Sequence, residues 1–221
     1  IRYVTRTPTD KFEVRADAGY GNYNMVNTHG YVAGALVPGI LTASLAIAHD
    51  EHDGYTWNPS LQRHVNDQNT TGARIKLVFT PTSRLKATLS ADGTIDHSQA
   101  AQYVATTYNP TNPALSNLGA IVSGTLYSPT QLADYKPNVS YAGRYPINRS
   151  HSGGITGRID YELATNLSLH SITALRAFDQ DPVNYNNDGQ NRLPYNSAQP
   201  RAVDISDNYI TYKQHAFTQE L

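Results

Sequence analysis

The densest group of side chains able to hold a metal or move a proton is His49, Asp50, Glu51, His52 and Asp53. In an extended strand His49, Glu51 and Asp53 leave one face and His52 the other. A metal site needs its ligands to converge, so the run reads as a polar strand end emerging into water, and no metal is expected. Residues 184–189, NYNNDG, imitate the first half of a calcium loop. Asn stands where the first Asp belongs and Tyr195 where the closing Glu should be, so this is read as a loop turn. There is no G-x-S-x-G elbow, and the scattered Ser, His and Asp residues carry no nucleophile spacing. Cysteine is absent, which removes disulfides, thiolate ligands and thiol nucleophiles. Catalytic residues and cofactors are therefore expected to be none, and the protein is not expected to be an enzyme. The glycosylation-like triplets at Asn69, Asn138, Asn148 and Asn166 are read as chance in a chain rich in Asn and Ser.

Aromatic side chains offer the other binding chemistry, with 16 Tyr against one Trp and four Phe. Tyr55 and Trp57 follow one strand pattern, and Tyr103, Tyr108, Tyr127, Tyr135, Tyr141 and Tyr145 populate a long polar stretch. Such rings bring large contact area at small entropic cost and suit sugar-like or aromatic ligands. At strand ends the same residue types form the aromatic girdle of a membrane barrel. Contact with a small-molecule or oligosaccharide ligand is expected from Tyr55, Trp57, His64, Tyr103, Tyr127, Tyr135 and Tyr141, with Arg63 beside His64.

What would position these loops is a set of strands, clearest over residues 71–92. Thr71, Ala73, Ile75, Leu77 and Phe79 alternate with Gly72, Arg74 and Lys76. After a turn at Pro81, Thr82 and Ser83, Leu85, Ala87, Leu89 and Ala91 alternate with Arg84, Lys86, Thr88, Ser90 and Asp92. Period two with a turn between is a β-hairpin with one apolar and one charged face. Charges in mid-strand suit a water-filled lumen, and the apolar face would then meet lipid. On this reading Arg15, Arg74, Lys76, Lys86, Arg158 and Asp160 line the lumen.

Composition narrows the class. The 221 residues carry 17 Lys plus Arg against 18 Asp plus Glu, which gives no basic stripe for a nucleic acid. Twelve Pro and 15 Gly punctuate an aromatic-rich chain, as in an all-β fold. No window reaches the ~20 apolar residues of a spanning helix, so residence in a membrane would require a barrel.

Eight strands are expected, centred on residues 12–20, 25–37, 41–48, 71–79, 85–91, 155–163, 167–178 and 209–221. A polar loop is expected over 50–68, one of more than 50 residues after Asp96, and a third over 179–206. Turns after the second, fourth and sixth strands are short, whereas connections after the third, fifth and seventh are long. That asymmetry matches an outer-membrane barrel with short periplasmic turns, and structureless loops of this length argue against a compact soluble domain.

The segment VTRTPTDKFEVRADAGYGNYN (4–24) resembles the junction between plug domain and first barrel strand of TonB-dependent outer-membrane receptors. HDGYTWN (52–58), GARIKLVFTPTSRLKATLSAD (72–92), GRIDYELATNLSLHSITALRAFDQD (157–181) and FTQEL (217–221) follow in that family's order. The resemblance implies a transmembrane antiparallel barrel of about 22 strands with a plugged lumen. Residues 1–10 would end the plug and its linker, and 11–221 would form the N-terminal part of the barrel. It also implies import of a scarce ligand, such as an iron chelate, cobalamin or oligosaccharide, driven by the TonB complex. Membrane lipids and lipopolysaccharide would be its surroundings, in the outer membrane of a Gram-negative bacterium. The TonB box, nearly all the plug and the remaining strands are not in these residues, so the chain is expected to be a piece of a longer polypeptide.

Physics bears on the same point, because a sheet in lipid cannot leave its edges unpaired. Eight strands either join others or close into a small barrel of structural or adhesive role, with an interior just wide enough for side chains. An outer-membrane hydrolase and a soluble β-sandwich binding module are the remaining alternatives.

Overall fold

The computed structural model describes residues 5–58, 62–99, 148–185 and 208–221. Eight strands form one sheet: β1 (Glu13–Gly21), β2 (Met25–Val37), β3 (Leu41–His52), β6 (Gln68–Thr82), β7 (Leu85–Asp96), β8 (Ser150–Ala164), β9 (Leu167–Tyr185) and β10 (Asn208–Glu220). They lie side by side in chain order, each antiparallel to the next. A two-stranded hairpin, β4 (Thr56–Asn58) with β5 (Arg63–Val65), interrupts the connection from β3 to β6. It occupies part of what the sequence pattern reads as a polar loop, since strands of three residues are too short to show a period.

Short turns gather at one end of the sheet. At the β2–β3 turn, Ile40 N donates to Val37 O at 3.0 Å. Pro38 fixes the first central position and Gly39, at φ +72°, takes the left-handed second one, the arrangement of a type II turn. Register shifts lie beside this end in β2–β3, β6–β7 and β8–β9, where bulges add local twist. The opposite end carries the β1–β2 turn and all the long connections.

Pairing fixes two faces, because residues directly opposite on neighbouring strands point the same way. One row runs Val14, Val32, Leu45, Ile75, Ala91, Ile155, Leu175, Phe217 from β1 to β10. The row adjoining it on the opposite face runs Arg15, Tyr31, Ala46, Arg74, Asp92, Gly154, Arg176, Ala216. On the apolar face Val14, Leu45, Ile47, Ile75, Leu89, Ile155, Ile159, Leu175 and Phe217 are all exposed. Among the described residues no second sheet or helix covers them.

Several strands run beyond their apolar pattern. β3 continues to His52, β8 starts at Ser150 and β9 extends to Tyr185. The start of β8, Ser150 to Gly154, has no apolar alternation, yet it pairs residue for residue with Asp92 to Asp96 of β7. Backbone hydrogen bonding to an established neighbour carries a strand past the point where its side chains announce it.

The buried residues of the sheet lie on the polar face. Ala33, Ser44, Lys76 and Val78 are buried there, where residues 5–12 cross β2, β3 and β6. Lys76 Nζ donates to Thr5 O at 3.1 Å, to Arg6 O at 3.0 Å and to Thr5 Oγ1. Thr42 Oγ1 donates to Pro8 O at 3.3 Å, and Gly39 N donates to Asp10 Oδ2 at 3.1 Å. Pro8 is buried and Arg6 pairs with Glu13 at 3.1 Å. The segment is thus a strap fastened along the polar wall.

Candidate functional site

The long-connection end is built around the tip of β1–β2. Tyr23 and Asn24 adopt left-handed conformations, φ 60° and 52°, which turn the chain tightly. Asp53 N donates to Tyr23 O at 2.8 Å, and Asn24 Nδ2 donates to Asp53 Oδ2 at 2.6 Å. These bonds lock the tip to the end of β3 and set the Tyr23 and Tyr55 rings edge to face at 6.3 Å. His52 lies 6.2 Å from the same Tyr55 ring.

The β4–β5 hairpin sorts its side chains by face. Thr56, Asn58 and Val65 are buried, whereas Trp57 and His64 point outward, ring to ring at 5.1 Å. Asn66 Nδ2 donates to Thr56 Oγ1 at 2.9 Å and Asn66 N to Gln99 Oε1 at 3.0 Å, which ties the hairpin to the end of β7. Of the expected ligand contacts the structure therefore brings Trp57 and His64 together and places Tyr55 against Tyr23 and His52. Tyr103, Tyr127, Tyr135 and Tyr141 lie outside the described residues. Tyr23 and His52 join this aromatic rim without having been singled out as ligand contacts, because only the turn geometry puts them beside Tyr55.

Arg15, Arg74, Lys76, Lys86, Arg158 and Asp160 all stand on the polar face. Arg15 Nε lies 2.6 Å from Glu13 Oε1, and Arg158 grips Asp160 through Nε and Nη2 at 2.7–3.0 Å. Lys76 is covered by the strap. Arg74 reaches Asp92 at 3.4 Å, and Arg176 of β9 reaches the same carboxylate at 2.9 Å. Nearer the rim, His29 bridges Asp17 at 2.7 Å and Asp50 at 3.2 Å, with Asn27 also donating to Asp50.

The residues from His49 to Asp53 divide between faces. His49 bonds Thr71 and Glu51 on the apolar face, while Asp50 bonds Asn27 and His29 on the polar one. Ser168, His170 and Asp160 stand in relay order near the short turns. Ser168 Oγ is 3.2 Å from one ring nitrogen of His170, and the other is 2.7 Å from Asp160. Ser168 and His170 are exposed, and Asp160 is already held by Arg158. Such a relay needs donors converging on a reacting oxygen in a water-poor site. This one stands on an open strand surface and reads as a polar ladder.

No family profile matches the sequence. Among solved structures, the chain is similar to the ferric yersiniabactin uptake receptor FyuA from Yersinia pestis, with a TM-score of 0.61 and 14% identity. The likeness covers 82% of this chain and 25% of that one. The fold is an antiparallel β-barrel wall. This chain spans about a quarter of the receptor's length, and at this identity the likeness is one of fold.

The strap lies on the polar face, and the aromatic rim stands at the end with the long connections.

Proposed function

We propose that this chain is part of the wall of a TonB-dependent outer-membrane receptor that takes up a scarce ligand. The observation that carries this reading is the uncovered apolar face running across all eight strands. A fully buried Leu, Ile or Phe is worth about 1.5–3 kcal/mol over an exposed one. A dozen such side chains left in water would forgo more than the 5–15 kcal/mol or so that holds a whole domain. Lipid is the covering that suits a face one residue deep whose opposite face is charged. Spans of 12 residues in β3 and β7 and 15 in β6 and β8 exceed the roughly 9–11 that cross a bilayer.

On this reading the outer face meets lipid and lipopolysaccharide of a Gram-negative outer membrane. The chain before β1 continues into a plug, and TonB acts through that region. Ligand, whether iron chelate, cobalamin or oligosaccharide, is met at the rim by Tyr55, Trp57 and His64 and passes Arg15, Arg74, Lys76, Lys86, Arg158 and Asp160. No catalysis is assigned. A small closed barrel is disfavoured because β1 and β10 are the two ends of the strand order and do not pair with each other among the described residues.

Spin labels in the native membrane test this reading. Labels at Ile75, Leu77, Leu85, Leu89 and Ile159 should relax with oxygen, and labels at Arg74, Lys86 and Arg158 with a water-soluble nickel chelate. Mixed accessibility within either set rules out the barrel wall.

A further inference from the structure

The strap meets the wall at points that follow one another down the chain from Thr5. Lys76 Nζ of β6 holds Thr5 O and Arg6 O, then Thr42 of β3 holds Pro8 O, and last Gly39 of the β2–β3 turn holds Asp10 Oδ2. The upstream point is the firmest, because Lys76 makes three bonds there, counting Thr5 Oγ1, where Thr42 and Gly39 make one each. Two of its acceptors are backbone carbonyls, so no side-chain rotation in the strap can loosen them.

Lys76 is buried, and its ammonium meets only neutral oxygens, with the cations Arg74 and Lys86 as its charged neighbours. A cation taken out of water without a carboxylate is costly unless other oxygens replace its hydration. The strap supplies those oxygens, so ammonium and strap hold each other.

A second observation concerns where a pull on the chain before Thr5 would enter the sheet. Lys76 lies inside β6, paired with Ser44 of β3 on one side and Ser90 of β7 on the other. Force entering there is shared by two long ladders. The Arg6–Glu13 pair, 3.1 Å, leads instead to the first residue of β1. Among the described residues β1 is bonded to β2 alone, through a ladder that starts at Glu13 and Ala33. Force entering at Glu13 would open that ladder one bond at a time from its end.

We infer that the strap is a fixed anchor: Lys76 takes the load when the chain upstream of Thr5 is pulled, and movement of that chain stops at the strap. The inference rests on the receptor reading, which supplies the pull through TonB. It goes beyond that reading in naming where the moving part ends and which residue ends it.

Labelling of the full-length protein in whole cells with a water-soluble maleimide tests the anchor, as the ratio of rates between cells that have TonB and cells that lack it. A ratio cancels any loosening of the strap at rest. Pro8→Cys, at the buried residue of the strap, should label slowly and at the same rate in both strains. Pro8→Cys/Lys76→Met should label at least threefold faster with TonB than without. Pro8→Cys/Arg6→Gln should return a ratio near one, because Lys76 still holds. Faster labelling of Pro8→Cys itself in cells with TonB shows that the strap travels with the upstream chain, and overturns the anchor whatever the Lys76 variants do. A ratio near one in Pro8→Cys/Lys76→Met, with Lys76→Gln in its place if the Met variant fails to fold, overturns Lys76 as the residue that takes the load. Spin-label accessibility is scored separately, so a lipid-facing apolar set with a travelling strap would sink the anchor and leave the receptor wall standing.

Discussion

Arg176 on β9 and Asp92 on β7 meet, Nη2 to Oδ2 at 2.9 Å, although β8 runs between their strands. Gly154 is the β8 residue beneath the crossing, paired with both. A Cβ there would fall 2.9 Å from Arg176 Cγ and 2.7 Å from the Leu175 carbonyl oxygen. The missing side chain at 154 is what lets a guanidinium reach across a whole strand.

Gly154→Val should therefore displace Arg176 and strain the β8–β9 pairing. A loss of about 1–3 kcal/mol is expected, as for other overpacked sites. The denaturant midpoint of the heat-modifiable electrophoretic shift reads it. A midpoint equal to that of the unchanged protein would show that Arg176 does not depend on the gap.

The strap gives a second prediction. Lys76→Met removes the donor to Thr5 O and Arg6 O and leaves those carbonyls facing a thioether. Hydrogen bonds to a charged group are worth about 1.5–3 kcal/mol, so release of the strap should become tenfold or more easier. A cysteine placed at Pro8, the buried residue of the strap, should react correspondingly faster with a water-soluble maleimide, and Lys76→Arg should recover part of the protection. Unchanged labelling in Lys76→Met would mean that Thr42, Gly39 and the Arg6–Glu13 pair hold the segment without Lys76.

These two features also mark where reading the sequence stops. The parity of Ile75, Leu77 and Leu89 against Arg74, Lys76 and Lys86 is written locally, since period two and turn residues act over a few positions. So are the short turns at Pro38–Gly39 and Thr165–Asn166. The Lys76–Thr5 contact joins residues 71 apart, and Arg176–Asp92 joins residues 84 apart. Such pairings follow only from the register of every intervening strand. The Trp57–His64 contact is of intermediate kind: both residues stood out by type, but their meeting depends on a hairpin whose strands are three residues long. The aromatic rim was thus legible in composition and not in arrangement.

The strand order leaves one question of topology with a direct answer. β1 and β10 are its two ends, and each offers one edge of backbone groups with no partner among the described residues. In lipid each unsatisfied group costs several kcal/mol, so both edges must be paired. In a receptor wall each edge pairs with a further strand of a larger barrel. In a self-contained eight-stranded barrel they pair with each other, which brings Ala16 and Phe217 to about 5 Å between Cβ atoms. Cysteines introduced at Ala16 and Phe217 are expected to stay unlinked under mild oxidation in the native membrane. A positive control pairs cysteines at Leu175 and Phe217, which face each other across β9 and β10 and should link readily. Ready linkage of 16 to 217 would replace the receptor wall by a small closed barrel, whose interior could not pass a ligand.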